Sequence, residues 1–184
     1  MAAVRQAIRG AAQVFPEPVA VLDAADRALR SEQPDRIVTA FVGILDPLTL
    51  AFSYASAGHP PPMLRHPDGS LSELFAVDLP LGLRNEHVAS NSVTVVLQEG
   101  SLLVLYTDGL TESTRDVLEG ERRLREALAS EAIHGSDSAA ATIRRAVLGV
   151  ATDDVAIFTI SIGSGSRTRL AANRRWVVAD RMRS

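Results

Sequence analysis

Two acidic strand ends hold the residues best suited to chemistry. Leu102-Leu103-Val104-Leu105-Tyr106 is an apolar run that predicts a buried strand, and Thr107-Asp108-Gly109 closes it with a carboxylate at the tip. Far downstream, Thr152-Asp153-Asp154 stands just before a second apolar run, Val155-Ala156-Ile157-Phe158. Carboxylate oxygens are the hard donors that Mg²⁺ and Mn²⁺ prefer. Two such tips meeting across a sheet would hold a cation. Each motif alone has a plainer meaning. Asp-Gly is a common turn, because Gly accepts positive φ and Asp tolerates it. Asp-Asp before a strand reads as a solvated loop.

The elements that must position these tips follow from periodicity. Val4, Ile8, Ala11, Ala12 and Phe15 recur at helical spacing and predict a helix that Pro16 ends. Pro18 suits a first helical turn, and a second helix runs to Ser31 with Val19, Leu22 and Leu29 along one face. Ile37 to Leu45 is a nearly continuous apolar strand bounded by Asp46-Pro47. Leu50, Phe52 and Tyr54 then alternate with smaller residues, as a half-buried strand requires. Pro67-Asp68-Gly69-Ser70 predicts a hairpin turn between Met63–His66 and Leu71–Phe75. Ser92–Leu97 and Leu102–Thr107 are expected to form the next pair, joined around Glu99-Gly100. Two helices follow, from about Arg115 to Ser130 and from Asp137 to Val150. The first carries Glu119/Arg123 and Glu121/Arg125 at i,i+4, the spacing of a solvated, ion-paired face. Asp154 to Ile162 closes the series as a strand. Clustered strands between helix pairs predict an α+β layered fold.

Composition narrows the functional classes. The 184 residues are most simply one domain with a substantial core, and 46% hydrophobic with 22% charged residues is ordinary for a folded chain. No apolar run is long enough to span a bilayer, and no secretory pattern opens the sequence. The absence of Cys excludes disulfides and thiolate metal sites and fits a cytoplasmic protein. All 19 basic residues are Arg, which reads as the codon bias of a GC-rich genome. A net charge of −3 leaves no basic footprint for nucleic acid.

Four segments in order carry a family resemblance. Tyr54-Ala55-Ser56-Ala57-Gly58-His59-Pro60-Pro61-Pro62 is similar to a "Y-x-x-A-G-H-P-P" element, and Leu79-Pro80-Leu81-Gly82-Leu83 to the element that follows it. The run from Glu99 to Glu112 resembles "G-D-x-L-x-x-Y-T-D-G-x-x-E", with Ser101 where Asp is common. Asp153-Asp154-Val155-Ala156 resembles a closing "D-D-x-A/T". Together these resemble the stage II sporulation protein E branch of the metal-dependent (PPM, protein phosphatase 2C-like) serine/threonine phosphatases, over about residues 1 to 162. The resemblance implies an α-β-β-α sandwich of two antiparallel sheets flanked by helices, with a metal site at one end between the sheets. It implies Asp108 and Asp153 as catalytic metal ligands and Mn²⁺ or Mg²⁺ as cofactor. Metal-activated water would then attack phosphoserine or phosphothreonine on a regulatory protein, of the anti-sigma-factor-antagonist type.

The chain also departs from that pattern. The family's upstream "G-G-D" and "G-D-V-x-G-H/K-G" motifs, the second with a metal-bridging Asp, have no counterpart, and Met1-Ala2-Ala3-Val4-Arg5 begins inside the helix that follows them. A downstream start within a longer protein, a degenerate relative, or a partner that supplies the missing edge would each account for this. The intact remainder favours the first. An N-terminally truncated domain would leave a free sheet edge through which two copies pair. The competing functional reading is a non-catalytic interaction module that binds the same regulator without turning it over.

The remaining candidates read as structural. His59, between Gly58 and Pro60, is assigned to shaping a loop, and the resemblance does not place it among the ligands. His66, His87 and His134 lack companions at ligand spacing. Glu112 either touches the ligands' own partners or starts a helix. Residues 163–184 stand outside the domain: Gly163-Ser164-Gly165-Ser166 reads as a flexible linker, followed by six Arg around Trp176. An unselected extension is the preferred meaning of that tail. A basic, aromatic contact with an acidic partner or membrane surface is the other.

Overall fold

Val4, Ile8 and Ala11 lie at intervals of one helical turn, and helix α1 (Ala2–Val14) buries all three. The structure, a computed structural model, describes residues 2–84, 91–112, 116–133, 138–148, 155–163 and 175–183. Residues 2–3 and 175–183 are described by their backbone alone. Pro18 opens α2 (Pro18–Glu32) at a position where its missing N–H costs no bond, and Val21, Leu22, Ala25 and Leu29 form the buried face.

The chain divides into two compact units, one made of Met1–His59, Phe75–Leu97 and Gly165–Ser184, the other of Pro60–Leu74 and Gln98–Ser164. In the first, β1 (Ile37–Leu45) and β2 (Ala51–Ala57) form an antiparallel pair, from Phe41 opposite Ser56 to Leu45 opposite Phe52. Helices α1 and α2 cover this pair through Leu22, Ala25, Val38, Val42 and Ala57. In the second, β3 (Met63–Arg65) and β4 (Leu71–Glu73) form the expected hairpin. Asp68 Oδ1 accepts from the Ser70 amide at 2.9 Å, and Gly69 takes φ +84°, so the turn has the residues its geometry requires. Helices α3 (Gly109–Glu112), α4 (Val117–Ala129) and α5 (Ala139–Val147) complete this unit. Asp116 and Ser138 cap α4 and α5 by accepting from the Leu118 and Ala141 amides.

Pairing departs from expectation in two places. The strands β5 (Val93–Val96) and β6 (Leu102–Tyr106) do not pair with each other. β5 joins β2, while β6 lies between β3 and β7 (Ile157–Ser161), giving a sheet order β4-β3-β6-β7. Burial explains the difference. All five residues of β6 are buried, as in a strand paired on both edges, whereas β5 exposes alternate residues, as an edge strand can.

The second departure lies in the Arg-rich tail. Its last part, Arg175–Arg183, is a strand, β8, paired antiparallel with β1 from Ile37 opposite Arg183 to Leu45 opposite Arg175. The first sheet therefore runs β5-β2-β1-β8, and β8 takes the edge of β1 opposite β2. Pairing with β8 gives the backbone along that edge of β1 its hydrogen-bond partners. Residues 164–174, which include most of the expected linker, lie outside the described residues.

The Leu79–Leu83 segment is held by charge. Leu81 exchanges both backbone bonds with Val38, at 2.9 and 3.1 Å. Buried Asp26 accepts from the Gly82 amide at 2.6 Å and pairs with Arg30 at 2.8 Å. Arg84, also buried, pairs with Asp23 and Asp78, each at 2.7 Å. Gly82 has φ +92°, and a Cβ there would lie 2.3 Å from the Arg36 carbonyl oxygen. Gly82→Ala therefore meets both a left-handed backbone and an immovable oxygen. Its stability in urea should fall by about 2 kcal/mol or more, and an unchanged unfolding midpoint would contradict this account.

Candidate functional site

The position of Asp108 follows from how β6 ends. The β6–β7 ladder runs to Tyr106 opposite Ile157 and continues one step further. Thr107 N–H donates to the Ala156 carbonyl at 3.1 Å, and Ala156 N–H donates back to Thr107 Oγ1 at 3.0 Å. The chain then turns at once. The Asp108 carbonyl accepts from Thr111 N–H at 3.0 Å, Glu112 N–H at 2.8 Å and the Thr111 hydroxyl at 3.1 Å, which closes the single turn α3. Gly109 N–H donates to Asp108 Oδ1 at 3.0 Å, orienting a carboxylate that is 8% exposed.

Gly120 presses α4 against this turn. A Cβ at that position would stand 2.0 Å from the Thr111 carbonyl oxygen. Leu124 and Leu128, on the same helix, pack with Val104, Tyr106 and Leu110 in the core of this unit. The acidic tip is thus built on a strand with both edges paired and a helix packed at backbone distance.

Asp108 lines a cavity of about 280 Å³ together with Thr111 and Glu112 of its own turn. Tyr106 of β6, Glu73 of β4 and Pro60-Pro61 of the Gly-His-Pro run also line it, and α4 adds Glu121 and Arg125. Among the described residues, four carboxylates therefore share the cavity with one guanidinium. Arg125 is ion-paired with Glu73, 52 residues away in sequence, and not with Glu121 as the i,i+4 spacing suggested. Glu73 is the less exposed carboxylate, and a less solvated partner is a stronger one. The other expected pair forms: Glu119 accepts from Arg123 at 2.8 Å and from Arg122 at 2.7 Å, and these bonds hold its carboxyl down at about 2. The Tyr106 phenol is pushed up to about 12 by burial, with further effect from Glu73 and Glu121.

The other sequence candidates fall elsewhere or lie outside the described residues. His59 is buried in the first unit, where its N–H donates to Ser56 Oγ at 3.2 Å and its ring lies 6.3 Å from that of Phe41. His66 bonds Ser72 across the β3–β4 hairpin at 2.9 Å. His87, His134 and Asp153 lie outside the described residues. Among the described residues, no three His, Cys, Asp or Glu side chains stand close enough together to hold an ion. Asp108 is the one expected ligand that can be placed, and the described residues do not by themselves make up a metal centre.

Sequence reasoning missed Glu73 and Gly120. A Gly early in a helix pattern is a usable signal of close packing, but nothing in the local spacing of Glu73 points to Arg125. Volume alone would also mislead. A larger cavity of about 580 Å³ in the first unit is lined by Glu17, Asp46, Ser53 and Thr94. There Asp46 Oδ1 accepts from the Leu48 and Thr49 amides, and Ser53 and Thr94 bond each other at 2.8 Å.

Comparison with known proteins supplies a family and a fold. The model of the family "Stage II sporulation protein E (SpoIIE)" matches residues 1–163. The structure is similar to the RsbU and RsbW domains of Rv1364c from Mycobacterium tuberculosis at 28% identity and a TM-score of 0.77, covering 89% of this chain and 48% of that one. It is similar to the PP2C phosphatase domain with a regulatory fragment of SpoIIE from Bacillus subtilis at 16% identity and a TM-score of 0.69, covering 87% and 49%. For the SiaA-PP2C domain of Pseudomonas aeruginosa the values are 20%, 0.67, 87% and 68%. The chain thus spans about half the length of two of these three, and its helices and antiparallel sheets match the PPM phosphatase fold they share.

Two outcomes follow from the local packing. Gly120→Ala should cost about 2 kcal/mol or more in urea unfolding, because a backbone oxygen cannot step aside. An unfolded tyrosine ionises near pH 10 and Tyr106 near 12, so Tyr106 leaves stability unchanged below about pH 10 and lowers it as pH rises from there toward 12. In Tyr106→Phe that part of the alkaline loss should vanish, together with the late-titrating phenolate absorbance.

Proposed function

Because the chain belongs to the stage II sporulation protein E family, we propose that it is a metal-dependent protein serine/threonine phosphatase domain over residues 1–162. In this reading Asp108 and Asp153 are the catalytic metal ligands and the cofactor is Mn²⁺ or Mg²⁺. The observation that carries the reading is the buried Asp108 carboxylate, held by its own turn at the end of β6 and lining a carboxylate-rich cavity. Related structures give support. A SpoIIE phosphatase domain from B. subtilis was presoaked with manganese, and RsbX was crystallised in complex with magnesium. When bound, such an ion lowers the pKa of water and neutralises phosphoryl charge.

The chain's own residues supply position and surroundings. The Thr107–Ala156 bonds fix where Asp108 leaves the sheet, and the bonds of α3 to its carbonyl fix its direction. The carboxylates of Glu112, Glu73 and Glu121 make the cavity attractive to cations and repellent to a bare phosphate. A phosphomonoester therefore needs positive charge in the cavity before it can enter.

The substrate class we favour is phosphoserine or phosphothreonine on a small regulatory protein of the anti-sigma-factor-antagonist type, dephosphorylated in the cytoplasm. The pairing of RsbU and RsbW domains in Rv1364c supports a partner of this kind. Two copies could pair through the β7 edge, whose Ile157-Phe158-Thr159-Ile160-Ser161 carries no charge. A second reading is a non-catalytic module that binds the same regulator without turning it over.

The test is Mn²⁺-dependent hydrolysis of p-nitrophenyl phosphate by the purified chain. Turnover should be present in the wild type and fall at least about 100-fold in Asp108→Ala and in Asp153→Ala, as expected for loss of a group that stabilises charge in the transition state. A folded wild-type chain without metal-dependent turnover would leave the interaction module.

A further inference from the structure

Among the described residues, the Asp108 cavity has a marked charge asymmetry: one cation, Arg125, among four carboxylates. We propose that Arg125 is the phosphoryl-binding residue of this site, exchanging its ion pair with Glu73 for a bidentate contact to the phosphoryl oxygens of a phosphorylated side chain seated beside Asp108. This inference deepens the phosphomonoester reading above and rests on it.

Four observations carry it. Arg125 sits on α4 next to Leu124, which is fully buried in the core of the same unit, so the base of its side chain is fixed while the side chain itself is 49% exposed. The two neighbouring arginines are engaged elsewhere on the helix, Arg122 with Glu119 and Glu126 and Arg123 with Glu119, and neither lines the cavity. Glu73 holds the guanidinium through one carboxylate oxygen on Nη2, whereas a phosphoryl group offers several oxygens, two of which a guanidinium can take at once. Tyr106 lines the same cavity, and its phenol O–H is a hydrogen-bond donor suited to a phosphoryl oxygen.

Exchange also has a sign. Glu73 competes with the phosphate for one guanidinium, so removing its charge should tighten phosphate binding, whereas removing Arg125 should weaken it. A pair that only tied β4 to α4 would behave differently: both changes would loosen the same contact and shift binding in the same direction.

The experiment uses the full chain with saturating Mn²⁺. Calorimetry compares a phosphoserine peptide with neutral flanking residues to its unphosphorylated form, and orthophosphate serves as the smallest probe. In Arg125→Ala the preference for the phosphorylated peptide should fall about 10- to 100-fold, the range expected for losing hydrogen bonds to a charged group. In Arg125→Lys, which retains the charge and the contact with Glu73, the loss should be partial. In Glu73→Gln the preference should rise. Far-ultraviolet circular dichroism checks each variant, and Arg125→Lys with Glu73→Gln decides the matter if Arg125→Ala does not fold.

An unchanged preference in the Arg125 variants, a fall in Glu73→Gln, or a wild type that does not distinguish the two peptides would overturn the proposal. Turnover of p-nitrophenyl phosphate is scored separately. If it is absent while the opposite shifts are seen, the enzyme reading fails and Arg125 stands; if it is present without those shifts, Arg125 fails and the enzyme reading stands.

Discussion

β6 is buried along its whole length and hydrogen-bonded along both edges, to β3 and to β7. A strand in that position has no freedom of register, because a one-residue slip would turn its packed faces inside out and strip its backbone of partners. Its end is equally constrained. The Thr107–Ala156 pair is the last step of the ladder, and Asp108 is the first residue past it. A carboxylate at that place inherits the rigidity of the sheet without occupying a sheet position.

The helices convert that rigidity into a cavity. α4 approaches Thr111 so closely that only Gly120 fits, and its apolar face joins the core beneath β6. The next residues around that helix, Glu121 and Arg125, then stand at the cavity with Glu73 from the β3–β4 hairpin. The Glu73–Arg125 pair neutralises one of these charges.

The first unit spends its buried charge differently. Asp26 and Arg84 lie in the interior, where Asp26 binds Gly82 and Arg30 and Arg84 binds Asp23 and Asp78. Breaking one partner of such a network leaves an uncompensated buried charge, which is typically worth about 3–5 kcal/mol. The network therefore fixes a segment that has no helix or strand of its own. It also explains how the fold is shared with structures at 16 to 28% identity: burial pattern and pairing define it, and many side chains satisfy both.

Local signals in the sequence determined α1, α2, β1 and the β3–β4 hairpin, since a 3.6-residue or two-residue period, a Pro at a helix start and an Asp-Gly turn each act over a few residues. The same holds for Asp108, whose apolar run and Asp-Gly turn are contiguous. Tertiary structure alone decided the partner of β5, the strand at Arg175–Arg183 and the partner of Arg125. Each is a choice among distant groups that local spacing leaves equal. β5 could pair with any edge of matching burial, and it lies on β2. The tail carries no strong strand signal and forms β8 because β1 offers it an edge nine residues long. Arg125 has Glu121 one turn away, yet the hairpin delivers a less solvated carboxylate, and in electrostatics the surroundings of a charge outweigh its distance along the chain.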